Sequence, residues 1–192
     1  MGAAAYPAAE ERKVRLLKNC GFNAIRTAHN PPSLAFLEAC DRLGIIVMDE
    51  AFDTWRMPKV QNDYHMFFDE WCLKDISYMV LRDRNHPSVF SYSIGNEIYE
   101  IDGTHGSGKL SKLLSDEIRK YDSTRLVTAG LQKDFLRRGK TGEDIDPPEY
   151  KKYLTDRFMK MEVAEVNDIT SDYEAPLDIV GHNYYYDRYE KD

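Results

Sequence analysis

The sequence predicts an α/β fold in which helices cover a parallel β-sheet, and three observations support that class. Helical and strand-like segments alternate along most of the chain, turn residues separate them, and polar side chains follow the strand-like segments at their C-terminal ends. A closed barrel and an open, doubly wound sheet both produce this alternation. Periodicity alone therefore leaves the choice between these two architectures open.

Four segments have the features of helices, and local signals mark their ends. Pro7 suits the first turn of the first helix, because the N–H that proline lacks has no helical partner there, and Gly21 lies where that helix stops. Ser33 is a suitable N-cap for the second helix, and Gly44 follows its end. The predicted helices are Pro7–Asn19, Ser33–Leu43, Tyr64–Arg84 and Ser107–Lys120.

Five segments have the features of strands, and the apolar run Ile45–Met48 is typical of a strand buried on both faces of a parallel sheet. The predicted strands are Phe22–Arg26, Ile45–Met48, Ser88–Ile94, Arg125–Ala129 and Asp178–Tyr184. Between residues 131 and 177 the alternation weakens, which predicts an elaborated loop region with a short helix near Tyr150–Lys160. We expect a single domain over residues 1–192.

The composition narrows the possible partners. The chain has 26 Lys and Arg against 33 Asp and Glu, and its net charge of −7 argues against nucleic acid as a partner. No apolar run approaches the roughly 18 residues of a membrane span, so no membrane partner is expected. The three cysteines, Cys20, Cys40 and Cys72, fit neither a disulfide framework nor a metal pattern. We expect them to be buried free thiols.

Polar and aromatic side chains follow four of the strands, which predicts a functional site at one end of the sheet. They are Arg26 and His29, then Asp49, Glu50, Asp53 and Trp55, then Asn96 and Glu97, and finally Asn183, Tyr184 and Tyr185. An arginine inside a strand needs a partner, so Arg26 is expected to face a carboxylate. Gly95 would allow a tight turn that projects Glu97 into a cavity. The pair Asp49 and Glu50 could equally belong to a surface turn.

Four sequence blocks carry a family resemblance. GFNAIRTAHNPPS, CDRLGIIVMDEAFDTW, VLRDRNHPSVFSYSIGNE and DIVGHNYYY resemble successive blocks of glycoside hydrolase family 2. That family includes β-galactosidases, β-glucuronidases and β-mannosidases, and DEAFDTW most resembles its bacterial β-galactosidase-like branch. The resemblance implies a (β/α)₈ TIM barrel, of which this chain would supply a partial barrel of about five parallel strands, two to six.

The resemblance also implies roles for individual residues. Glu97 corresponds to the general acid/base at the end of strand four, and Asn96 to the neighbour that hydrogen-bonds the sugar 2-hydroxyl. Arg26 and His29 correspond to strand-two residues near the nucleophile and the sugar. The remaining candidates are Asn183 with Tyr184 or Tyr185, which correspond to strand-six groups near the nucleophile, and Asp53 and Trp55, which would line the sugar pocket.

The chain departs from the family pattern in two ways. The family's nucleophile is a glutamate at the end of strand seven, and nothing here corresponds to it, to strand one or to the flanking β-sandwich domains. We therefore expect part of a larger enzyme, inactive alone, whose partners are the missing barrel strands and those domains. Thr54 and Arg56 stand where large bacterial β-galactosidases help to hold magnesium, so no such metal and no other cofactor is expected.

The leading hypothesis is retaining hydrolysis of a β-linked sugar substrate, with β-galactosides favoured. Such a reaction needs two carboxyl groups roughly 5–5.5 Å apart, one as acid/base and one as nucleophile. A non-catalytic carbohydrate-binding or scaffold module derived from the barrel is the alternative. A family 5-like glycanase is a third reading, against which the RTAHNP block argues. We expect a soluble bacterial protein, and the sequence leaves its compartment open between the cytoplasm and the periplasm or secretion.

Overall fold

The computed structural model describes residues 5–102, 106–133 and 170–184 of the chain. Within them, one sheet contains five strands, and helices connect most of them. The strands are β1 (Ala24–Arg26), β2 (Ile46–Glu50), β3 (Val89–Asn96), β4 (Leu126–Leu131) and β5 (Ile179–His182). The helices are α1 (Pro7–Asn19), α2 (Leu34–Leu43), α3 (His65–Asp83) and α4 (Ser107–Tyr121), with a short 3₁₀ helix over Tyr99–Asp102.

The strands occur in the sheet in the same order as in the sequence, and every neighbouring pair is parallel. A doubly wound sheet reverses its strand order at one point, whereas a barrel adds each strand beside the previous one. The sequential order therefore identifies the sheet as a curled part of a barrel. The predicted partial TIM barrel with five parallel strands is confirmed.

The ends of the elements follow the signals in the sequence. Pro7 begins α1, and the hydroxyl of Ser33 accepts a hydrogen bond from the N–H of Phe36 at 3.2 Å, as an N-cap does. Gly44 ends α2 in the left-handed conformation, with φ of 68°. The short helix predicted near residues 150–160 lies outside the described residues. Residues 170–174 form a helical segment that the sequence did not indicate.

The core lies between the sheet and the helices, and aromatic rings form its thickest part. The ring of Trp55 lies against Phe68 and Tyr173, with centroid distances of 5.8 and 5.2 Å, and all three residues are almost fully buried. Burying each such ring contributes about 1.5–3 kcal/mol of transfer free energy. This cluster attaches the loop after β2 firmly to α3.

Two remaining sequence expectations concern cysteines and membranes. Cys40 and Cys72 are buried free thiols, and burial raises the pKa of Cys40 to about 12. Cys20 is exposed, because it follows the last turn of α1, so the prediction of a buried thiol is wrong there. None of the helices in the described ranges combines the length and the apolarity that crossing a membrane requires.

Candidate active site

A buried carboxylate organises the C-terminal end of the sheet. Glu50, the last residue of β2, has no exposed surface. Its oxygens accept hydrogen bonds from Arg26 Nε at 2.8 Å and Nη2 at 3.1 Å, and from Ser93 Oγ at 2.7 Å, and His29 Nδ1 lies 2.6 Å away. The expectation that Arg26 faces a carboxylate is confirmed. The sequence placed Glu50 only in a pair that could have been a surface turn.

The guanidinium of Arg26 joins β1 to three other strands. Besides Glu50, it donates from Nη2 to Asn96 Oδ1 at 2.6 Å and from Nη1 to Asn183 Oδ1 at 3.3 Å. The group passes directly over Gly130 of β4, where a β-carbon would lie 2.7 Å from Nη2. Because four hydrogen bonds hold the guanidinium in place, only glycine leaves room for it at position 130.

Asn96 connects this network to Asp53. Its Nδ2 donates to Asp53 Oδ1 at 2.8 Å, while its Oδ1 also accepts from Asn183 Nδ2 at 2.9 Å. Lys59 Nζ lies 2.6 Å from the same oxygen of Asp53. Partial burial acts to raise the pKa of Asp53, but the hydrogen bonds from Lys59 and Asn96 and the lysine charge outweigh it and hold this pKa below its usual value. Asp53 is therefore a fixed carboxylate, and its side chain is 44% exposed.

Glu97 follows β3 directly and is partly exposed at the open end of the sheet. Its φ of 46° is left-handed, a conformation that costs free energy for a residue with a side chain and is concentrated at functional sites. Its N–H donates to the carbonyl of Gly130 at 2.6 Å, and its Oε1 accepts from Asn183 Nδ2 at 3.0 Å. The two bonds fix both the backbone and one carboxyl oxygen of Glu97.

Gly95 serves a different purpose from the one expected. The left-handed residue is Glu97, so the tight turn does not depend on the glycine. A β-carbon at position 95 would lie 2.7 Å from Ile98 Cγ1 and 3.2 Å from Trp55 Nε1. Gly95 is therefore needed for space between β3 and the core.

Trp55 is placed behind the site rather than in it. It has no exposed surface, and its Nε1 donates to the carbonyl of Ile94 at 3.0 Å. The loop after β2 turns back toward the helices at this point, so the indole supports β3 from the core and cannot line a sugar pocket.

Tyr184 follows Asn183 and is 64% exposed, with a left-handed φ of 61°. Tyr185 lies outside the described residues, so the choice between the two tyrosines remains a prediction.

Asp49 faces away from the cluster, because successive strand residues point to opposite sides of a sheet. It is fully buried beside Asp83, whose two oxygens are each held by Arg82 at 2.6 Å. Desolvation, followed by the negative charge of Asp83, raises the pKa of Asp49 well above its usual value, and the charge of Arg82 offsets this only in part.

Replacing Asp49 by asparagine is expected to stabilise the chain at alkaline pH. The pKa of Asp49 is higher in the folded chain than in the unfolded chain, where it is about 4, so the group contributes stability at pH values below the unfolded-state pKa. That contribution is lost as the pH rises through the folded-state pKa. The asparagine amide can donate to Asp83 without ionising. Urea unfolding should show a gain of about 1–3 kcal/mol at pH 8 that disappears toward pH 4. A gain of the same size at both pH values would contradict this account.

A matched control for that experiment is Asp116→Asn on α4. Asp116 is 54% exposed and pairs with Lys112 on the surface. Exposed pairs contribute about 0–1 kcal/mol, so this variant should leave the pH dependence of unfolding unchanged.

Thr54 and Arg56, which the family resemblance placed at magnesium-holding positions, do not fit a metal. Thr54 Oγ1 donates to Asp63 Oδ2 at 3.3 Å, and Arg56 Nε lies 2.6 Å from Asp69. A guanidinium cannot ligate a cation, and magnesium prefers carboxylate and water oxygens. Among the residues that the structure describes, no three His, Cys, Asp or Glu side chains are grouped so that they could hold a metal ion.

A parallel sheet that brings charged and amide side chains from β1, β2, β3 and β5 together at one open end is characteristic of a barrel enzyme. Residues 8–179 match the family model described as "Glycosyl hydrolases family 2, TIM barrel domain". The chain therefore belongs to glycosyl hydrolase family 2, and the resemblance found in the sequence is confirmed. The family 5-like reading is excluded by this match.

Similar proteins are named as glycosidases. A β-galactosidase of Bacteroides ovatus is 37% identical in an alignment of 196 positions, which covers 96% of this chain and 22% of the relative. A β-galactosidase of Lactococcus lactis is 34% identical over 154 residues, covering 76% of this chain and 14% of the relative. The crystal structure of a family 2 member from Bacteroides cellulosilyticus is 42% identical and has a TM-score of 0.76, covering 98% of this chain and 20% of that one. This chain thus spans about a fifth of the length of such relatives.

Proposed function

We propose that this chain supplies the general acid/base, Glu97, and several of the sugar-contacting side chains of a retaining β-glycosidase that favours β-galactosides. The observation that carries the proposal is the position of Glu97 at the open end of the sheet, fixed by Asn183 and by Gly130. Two relatives named β-galactosidase support the choice of substrate class.

The hydrogen bond from Asn183 distinguishes the two carboxyl oxygens of Glu97 and supports a position for the proposed catalytic proton. Asn183 Nδ2 donates to Glu97 Oε1, which occupies a lone pair of that oxygen and leaves Oε2 as the oxygen that we propose carries the proton. Glu97 donates this proton to the leaving oxygen as the glycosidic bond breaks. As a carboxylate it then removes a proton from the water that releases the sugar.

Three further side chains have unused capacity for sugar hydroxyls. Asn96 uses one N–H on Asp53, so its second N–H is available to a hydroxyl. Asp53 accepts both of its described bonds on Oδ1, which leaves Oδ2 as an acceptor. The Nδ1 of His29 lies 2.6 Å from Glu50 and donates to that carboxylate, which leaves Nε2 to bond a hydroxyl.

Neither of the other carboxylates in the cluster suits the role of nucleophile. Glu50 is fully buried, and its oxygens already take bonds from Arg26 and Ser93. Asp53 is ion-paired with Lys59 and bonded to Asn96. We propose that the nucleophile comes from a further barrel strand and that this chain is inactive without it. The polypeptide that completes the barrel around this sequence is called the complete enzyme below.

Comparing this chain with the complete enzyme tests the proposal. We expect the complete enzyme to hydrolyse 4-nitrophenyl β-D-galactoside with retention of anomeric configuration, measured by proton NMR of the first-formed sugar. The chain alone should release no more nitrophenol than buffer does. Inversion in the complete enzyme, or turnover by this chain alone, would refute the assignment of a nucleophile outside it.

A further inference from the structure

Lys59 lies in the loop between β2 and α3, and its ammonium group contacts the backbone beside Glu97 as well as Asp53. We propose that Lys59 is a positioning residue of the active site, which fixes Asp53 and the peptide group that leads into Glu97. This inference rests on the function proposed for Glu97 and identifies how the fold holds that residue in place.

The first observation is a peptide group held at both ends. Lys59 Nζ donates to the carbonyl oxygen of Asn96 at 2.9 Å, and the N–H of the same peptide group, which belongs to Glu97, donates to Gly130 at 2.6 Å. The orientation of this group sets the left-handed φ of Glu97. Lys59 and Gly130 together therefore determine the direction in which the Glu97 carboxyl projects.

The second observation is the contact of the same ammonium group with Asp53, at 2.6 Å. Lys59 thus connects a carboxylate that faces the open end of the sheet with the backbone that carries the acid/base. Its side chain is only 17% exposed, whereas lysine usually keeps its charged end in water. Ordering a long side chain costs conformational entropy, so this placement needs a compensating interaction.

The loop that presents Lys59 is itself held by Asp63. Asp63 Oδ2 accepts from the backbone N–H groups of Lys59 at 2.7 Å and Val60 at 2.9 Å, and from Thr54 Oγ1 at 3.3 Å. Its Oδ1 accepts from the N–H of His65, the first residue of α3, at 3.0 Å. The loop is therefore tied to the start of α3, and the lysine backbone has a fixed position.

A simple surface ion pair is the alternative explanation, and the chain contains one for comparison. Lys112 and Asp116 are also 2.6 Å apart, but their side chains are 66% and 54% exposed and lie on α4. Such exposed pairs contribute little to stability. Lys59 differs in its burial and in its second bond, which goes to the backbone beside Glu97.

The test uses Lys59→Met, Lys59→Arg and the control Lys112→Met in the complete enzyme, with phenyl and 2,4-dinitrophenyl β-D-galactosides. Misplacing a catalytic group by about 1 Å can reduce a rate by about 100-fold. We expect Lys59→Met to lose about that much kcat/KM on the phenyl substrate, which needs protonation of its leaving oxygen. The loss should be smaller on the dinitrophenyl substrate, Lys59→Arg should recover part of it, and Lys112→Met should behave as wild type.

Two results would overturn the inference. One is wild-type kinetics for Lys59→Met with both substrates. The other is an equal loss on both substrates that parallels a lowered thermal midpoint, because that pattern indicates a structural role. Glu97→Gln, measured alongside, separates this inference from the proposed function. If Glu97→Gln is inactive and Lys59→Met is normal, only the inference fails, and if Glu97→Gln is fully active, the proposed function fails as well.

Discussion

Replacing Glu97 by glutamine is expected to lower turnover of phenyl β-D-galactoside by the complete enzyme about 10²- to 10⁴-fold, the usual contribution of a general acid. Glutamine keeps an acceptor oxygen for Asn183, so the local geometry should be retained while the proton is lost. A 2,4-dinitrophenyl leaving group needs little protonation. Its release should therefore show a rapid first turnover followed by slow hydrolysis, measured by stopped-flow absorbance.

Azide provides a sharper check of the same residue. A small anion can attack the sugar–enzyme intermediate without a general base, so azide should accelerate the slow second step of Glu97→Gln and yield a glycosyl azide of retained configuration. Glu117→Gln is the control, because Glu117 lies on α4 and bonds Ser77 away from the site. Unchanged turnover in Glu97→Gln, or no response to azide, would remove Glu97 from the role.

Replacing Arg26 by methionine is expected to destabilise the chain by about 3 kcal/mol, because it leaves the buried charge of Glu50 without its strongest partner. Removing one member of a buried pair costs more than the pair contributes, since the remaining charge stays desolvated. His29 and Ser93 still contact Glu50 and keep the loss at the lower end of the usual range. Urea unfolding, monitored by circular dichroism, measures the change in the free energy of unfolding.

The double variant Arg26→Met with Glu50→Gln separates burial of a charge from loss of packing. It should be more stable than Arg26→Met alone, because no uncompensated charge remains. Arg15→Met is the surface control: Arg15 pairs with Glu11 at 2.5 Å on the exposed side of α1, and its loss should leave the free energy of unfolding nearly unchanged. Equal destabilisation by Arg15→Met and Arg26→Met would contradict the importance of the buried network.

The elements of the fold were predictable because their signals are local. Pro7, Ser33 and Gly44 mark helix ends through backbone chemistry that does not depend on the rest of the molecule, and each lies where the sequence indicated. The apolar strands were predictable for the same reason. The choice of a barrel depended on the family resemblance, since alternation of helix and strand does not fix the order of strands in a sheet.

The site was predictable only where a residue follows a strand directly. Arg26 and Asn96 are the last residues of β1 and β3, and Glu97 follows β3 directly, so the strand signals locate all three at the C-terminal end of the sheet. Alternation could also have separated Glu50 from Asp49. Trp55 lies beyond the end of its strand, where no periodicity applies, and its burial depends on aromatic partners far away in the sequence.

Lys59 was even less predictable from the sequence than Trp55. Nothing in its neighbours in the sequence distinguishes it from an ordinary solvated lysine. Its position depends on Asp63, which accepts a hydrogen bond from the Lys59 backbone, and on the carbonyl oxygen of Asn96 on β3, to which the ammonium group donates. Such a contact exists only after the sheet has formed.

The site requires that residue 130 have no side chain, because the guanidinium of Arg26 occupies that space. The absence of one methyl group lets the guanidinium of Arg26 cross the sheet and bond the amides of Asn96, at the end of β3, and Asn183, which follows β5. Searches for functional residues look for side chains that can react or bind, and such a search passes over a residue with no side chain. The arrangement of the side chains proposed to bind the sugar therefore depends on the missing side chain at position 130 as much as on any charged group. The inventory of its active site should therefore include the glycine beneath Arg26.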